Sequence, residues 1–151
     1  MLRDHGVEFI VVGGIAAVLE GVALNTFDLD LVHSREPDNI SRLLVALDSL
    51  SATYRAQPER ALKPNASHLS SPGHQLLMTR YGPLDVLGSI GHSRTYADLL
   101  PHAHQIEVAD GLRVQVLDLE TLIAVKEEVA SEKDLAVLPI MRRTLEEKRR
   151  R

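Results

Sequence analysis

The chain of 151 residues contains no cysteine and no tryptophan. Without thiols it can form neither disulfides nor thiolate metal sites, which suits a reducing compartment. Its aromatic residues are three Tyr and two Phe, so the core must be aliphatic. So few rings also argue against the stacked platforms on which many single-strand nucleic-acid binders rest successive bases. No apolar run approaches the roughly 20 residues needed to span a bilayer, and Met1-Leu2-Arg3-Asp4-His5 has no signal-peptide pattern. The expectation is a cytoplasmic protein with no membrane partner. Asn65-Ala66-Ser67 matches a glycosylation sequon, but without a secretion signal it reads as chance. An excess of positive charge is also missing: the formal net charge is −4, which gives no global attraction to nucleic acid. Basic residues gather only at the end, in Arg142-Arg143 and Lys148-Arg149-Arg150-Arg151. These suit a solvated helix C-terminus or, alternatively, a phosphate-contacting tail for an RNA partner.

What the sequence does have is a pair of carboxylates in an apolar run, Phe27-Asp28-Leu29-Asp30-Leu31-Val32. In a strand, successive side chains alternate faces, so Asp28 and Asp30 share one face while Phe27, Leu29 and Leu31 point into the core. Neighbouring carboxylates repel unless a cation lies between them, and a divalent ion such as Mg²⁺ takes oxygen ligands and shares them with phosphates. Upstream, Val11-Val12-Gly13-Gly14 ends a short β-rich run in backbone that can approach a phosphate closely. A third acid, Asp85, interrupts the apolar run Leu84-Asp85-Val86-Leu87, and a lone buried carboxylate is expensive unless paired or metal-bound. If its strand lies beside that of Asp28 and Asp30, three carboxylates converge.

The remaining pattern predicts a single domain, an α+β (mixed α/β) sheet covered by helices, with a core at about 6–118 and a helical part at about 119–151. Glu8 to Val12 reads as a strand, Ile15 to Leu19 as a helix start, and Phe27 to Val32 as a strand. Pro37-Asp38 opens a helix to Leu50, with Ile40, Leu43, Leu44 and Leu47 at helical spacing. Residues 55–74 read as an irregular loop. Gln75–Arg80 and Leu84–Ser89 read as a hairpin around Tyr81-Gly82-Pro83, and Thr95–Leu100 as a short helix. Asp110-Gly111 marks a second hairpin between Gln105–Val108 and Arg113–Leu117. Asp118 caps a helix to about Val129. Another helical segment follows from Ser131, with a kink or break expected at Pro139. Ser131-Glu132-Lys133-Asp134 is close to a capping box, and Asp134 could equally anchor a lysine.

The order Val12-Gly13-Gly14, then Thr26-Phe27-Asp28-Leu29-Asp30-Leu31, then Gly82-Pro83-Leu84-Asp85-Val86-Leu87 resembles the nucleotidyltransferase superfamily built on the DNA polymerase beta-like fold. It is most similar to the minimal nucleotidyltransferases that include relatives of abortive-infection toxins. Leu122-Ile123-Ala124-Val125-Lys126, followed by Lys133-Asp134, extends the resemblance to the C-terminal region. The resemblance implies a mixed sheet flanked by helices and in-line attack by an acceptor hydroxyl on the α-phosphorus of a nucleoside triphosphate. Two ions, Mg²⁺ or Mn²⁺, would lie on Asp28, Asp30 and Asp85, which are the implied catalytic residues. Gly13, Gly14, Thr26, Lys126 and Lys133 are the implied nucleotide contacts. The acceptor could be RNA such as tRNA, a protein or a small molecule, with a partner chain or homodimer completing the site and a toxin–antitoxin role. Three departures support an alternative, a catalytically impaired nucleotide-binding or antitoxin-like module. Glu20 stands where relatives often carry His, no basic residue lies near Leu24-Asn25, and Gly14 replaces Ser.

Overall fold

The computed structural model describes all of residues 1–151. Strand β1 (Phe9–Val12) runs directly into helix α1 (Gly13–Leu19), so the two glycines form the first turn of the helix rather than a loop before it. Strand β2 is Leu29–His33 and helix α2 is Pro37–Ser49, opened by Pro at its first position where the missing N–H costs nothing. The short strand β3 (Thr53–Tyr54) and helix α3 (Ala66–Ser70) precede the hairpin of β4 (His74–Thr79) and β5 (Gly82–Leu87). After the small pair β6 (Ser89–Ile90) and β7 (Arg94–Thr95) comes helix α4 (Tyr96–Leu99), followed by the hairpin of β8 (Ala103–Ala109) and β9 (Leu112–Leu117). Helices α5 (Leu119–Val129) and α6 (Glu132–Arg149) end the chain.

Seven strands form one mixed sheet in the order β3-β4-β5-β2-β1-β9-β8. The pairs β2/β5 and β1/β9 are parallel and the others antiparallel. Period-two alternation assigns the sides of β2 and β5. Leu31, Leu84 and Val86 pack with Ile40, Leu43 and Leu47 of α2 in one cluster. Val32 and Leu87 join Ile10, Val12, Ala16, Leu122, Leu138 and Met141 in the other, which reaches α1, α5 and α6. A one-residue slip of β2 would carry Leu31 and Val32, both fully buried, to the wrong sides. Each buried aliphatic side chain is worth about 2 kcal/mol, so the register is strongly held.

Two readings of the chain are corrected here, and a third is narrowed. Phe27 lies before β2 and is 89% exposed instead of packed in the core. The stretch read as irregular contains α3, capped reciprocally by Asn65 and His68. Of the kink or break expected at Pro139, the break does not occur: the last helix runs through it, since Pro139 is exposed and the carbonyl that lost its donor can turn to water.

Candidate functional site

The site is set by the parallel pairing of β2 with β5, in which Asp30 stands opposite Asp85. Register partners project to the same side of a sheet, so two acids from distant parts of the chain meet. β1 supplies the third wall, since Val12 pairs with Asp30 and Gly13 follows at φ 68°. A Cβ at Gly13 would lie 2.3 Å from Asp30 Oδ2, so any side chain there would force the Asp30 carboxylate to move. One at Gly14 would meet Thr26 Oγ1 at 2.8 Å. Contact with Asp30 and with Thr26 therefore favours glycine at both positions, and at Gly13 the left-handed backbone conformation does so as well.

Burial pushes the Asp30 carboxyl up to about 7, reinforced by its hydrogen bond with Asp85 and by the charges of Asp85 and Asp28, against the pull of Lys126. Below about 7 Asp30 therefore keeps its proton. Asp30 Oδ1 is buried with no hydrogen-bond partner. Asp85 is held from the other side: Arg55 Nη2 donates to Oδ1 at 2.6 Å while Arg55 Nη1 donates to the Leu77 carbonyl at 2.9 Å. Asp28 lies just before β2, exposed and without a hydrogen-bond partner. No three carboxylate or imidazole groups converge closely enough to enclose a metal ion as they stand. The structure thus brings Asp30 and Asp85 together and leaves Asp28 at the rim. An orphaned buried carboxylate oxygen, a second carboxylate in register and a cradle open only to glycine fit a hard divalent cation.

Lys126 donates to Asp134 Oδ1 at 2.9 Å, and Asp134 Oδ2 accepts from Ser131 Oγ at 2.7 Å. Asp134 therefore serves as both helix cap and lysine anchor. Burial pushes its carboxyl up, but the bonds from Ser131 and Lys126 outweigh burial and hold it below the usual range. Lys126 acts on Asp30 through its charge. Lys133, the chain neighbour of Asp134, is exposed and makes no side-chain hydrogen bond.

Two features escaped the sequence reading. Arg55 sits in the stretch read as irregular, and only the β3/β4/β5 register brings it to Asp85. Glu20, 5% exposed, is held at 2.8 Å by both Lys148 and His104. A cavity of about 400 Å³ is lined by His33, Ser34, Arg35 and Tyr96 among others. It lies at the far end of β2 from Asp28.

No family model and no curated protein matches the chain. A solved structure does: a candidate nucleotidyltransferase from Thermotoga maritima superposes with a TM-score of 0.59 at 15% identity, covering 97% of this chain and 89% of that one. The chain shares the fold of that protein. At this identity the likeness concerns architecture, and chemistry has to be argued from the residues.

Proposed function

We propose that the protein is a metal-dependent nucleotidyltransferase, moving a nucleotidyl group from a nucleoside triphosphate to an acceptor hydroxyl. The observation that carries this reading is the Asp30–Asp85 pair, in register on adjacent parallel strands with Gly13 against it. Asp30, Asp85 and, from the rim, Asp28 would hold Mg²⁺ or Mn²⁺. Bound there, the cations would neutralise the triphosphate and stabilise the entering and leaving oxygens. Asp85 can take the proton of the acceptor hydroxyl on Oδ2, since Arg55 occupies only Oδ1. Gly13 and Gly14 let the phosphates approach the backbone, with Thr26 beside them. Lys126 offsets negative charge near Asp30, and the free arm of Lys133 can reach a phosphate from the exposed side. The acceptor class (tRNA, protein or small molecule), a partner chain and a toxin-like role belong to the same proposal.

A second reading, a nucleotide-binding or antitoxin-like module without catalysis, is favoured by the position of Asp28 apart from the other two acids. One experiment separates them. The protein is incubated with each α-labelled triphosphate, Mn²⁺ and RNA or cell extract, beside Asp30→Asn and Asp85→Asn. Label transferred by the wild type alone supports the enzyme. Metal-dependent nucleotide binding with no transfer to any acceptor supports the module.

A further inference from the structure

Arg55 has no part in the reading above except to leave Asp85 Oδ2 free, yet its placement is specific. Its backbone N–H donates to the Leu76 carbonyl at 3.1 Å, and Leu76 is the register partner of Asp85 across β4/β5. Its guanidinium then spans two acceptors, the Leu77 carbonyl and Asp85 Oδ1. Backbone and side chain together make three attachments, two to β4 and one to Asp85 on β5. The side chains of Arg55 and Asp85 are 26% and 15% exposed, so the pair is shielded well beyond a surface ion pair. A guanidinium anchored on the Leu77 carbonyl presents a fixed donor to Oδ1 and so restrains the rotamer of the carboxylate it holds.

We propose that Arg55 is a positioning residue for divalent-cation binding: it clamps Asp85 Oδ1 and so aims Oδ2 at the space shared with Asp30. The inference rests on the nucleotidyltransferase reading of the site, because it takes Asp85 as a cation ligand. Ligating carboxylates generally depend on such outer partners, whose loss weakens metal binding by about 10–100-fold. The direction of the effect is diagnostic. A guanidinium near a cation site repels the ion, so removal of its charge alone would tighten binding. If Arg55 served only to tie β3 to the sheet, its removal would lower stability and leave affinity unchanged.

The test is a titration with Mn²⁺ alone, without nucleotide, following the free-ion electron paramagnetic resonance signal. It compares wild type, Asp30→Asn, Arg55→Gln and Arg55→Lys, with circular dichroism and melting curves on each. The expected result is binding by wild type that Asp30→Asn abolishes, weakening of about 10–100-fold in Arg55→Gln, and an intermediate loss in Arg55→Lys. Lysine keeps the charge but cannot span both acceptors, so it carries the comparison alone if the glutamine variant does not fold. Unchanged or tighter binding in the Arg55 variants, with Asp30→Asn still inactive in binding, overturns the positioning role and leaves the site intact. Wild-type binding no stronger than that of Asp30→Asn overturns the reading of the site as well.

Discussion

Asp30 carries a clear thermodynamic signature. Its folded-state proton affinity, at about 7, lies above the ordinary carboxylate value of 3.8, so protonation favours the folded state. The stabilisation is fully present below the unfolded value and is lost as pH rises through about 7. In EDTA, wild type should therefore lose stability relative to Asp30→Asn between pH 4 and 8, with the variant melting about 5 °C higher at pH 8. Parallel melting-temperature profiles would contradict the burial and pairing that raise Asp30. Gly13→Ala combines a positive φ with a Cβ 2.3 Å from Asp30 Oδ2. It should cost about 2–4 kcal/mol by urea unfolding, above the usual strain of a left-handed residue because the carboxylate must also move. His33 acts at the other end of β2 and with the opposite charge logic. Burial lowers its proton affinity, against the hydrogen bond between its Nδ1 and the Ser34 carbonyl. Protonation therefore opposes folding, and stability should fall as pH drops below about 6.5. A His33→Gln variant should lack that acid-side loss.

At the scale of elements, what could be read from the sequence was what short-range chemistry specifies. Pro37 starts α2, Asp118 caps α5 by accepting from the Thr121 N–H, and Asp110-Gly111 turns the β8/β9 hairpin. Each signal sits within a few residues of its effect. The elements that were missed depend on partners elsewhere. Helix α3 buries only Leu69, so it has no apolar period to detect and relies on its reciprocal cap. β2 begins two residues later than expected because its first ladder partner, Leu84, stands opposite Leu29, and this leaves Phe27 in solvent. Asn39 illustrates a connection that no local rule supplies: it accepts from the Glu8 N–H and donates to the Glu8 and Ser34 carbonyls. It thereby joins α2 to the start of β1 and the end of β2. Replacing it by Leu should orphan the Glu8 N–H and leave the Glu8 and Ser34 carbonyls with only the Ser34 N–H and His33 Nδ1 as partners, at a cost of about 2 kcal/mol measurable by chemical denaturation.

Across the whole molecule, the two clusters on either side of the sheet were legible as alternation and helical spacing, as was the mixed character of the fold. Convergence at the candidate site was legible only in part, because it depends on which strands become neighbours. Asp30 and Asp85 meet through the β2/β5 pairing, and Arg55 joins them through a third strand. The C-terminal helix is tied back in the same long-range way, by Lys148 on the buried carboxylate of Glu20. Lys148→Ala leaves that charge with His104 alone. It should destabilise the protein by about 2 kcal/mol, a value reduced because Lys148 is 36% exposed. A melting temperature unchanged in Lys148→Ala would mean that the basic end of α6 does not hold the helix to the sheet.

The parallel pairing of β2 with β5 has a further consequence for the time course of folding. The hairpins β4/β5 and β8/β9 close over short loops, but the Asp30–Asp85 contact requires a long loop to close and two like charges to approach. That contact belongs with the late, non-local steps, after most of the chain has committed to its topology. A ligand gripping both acids would then act almost wholly on the rate of unfolding and scarcely on the rate of folding. The bound protein would owe its added lifetime to a slower escape from the native state.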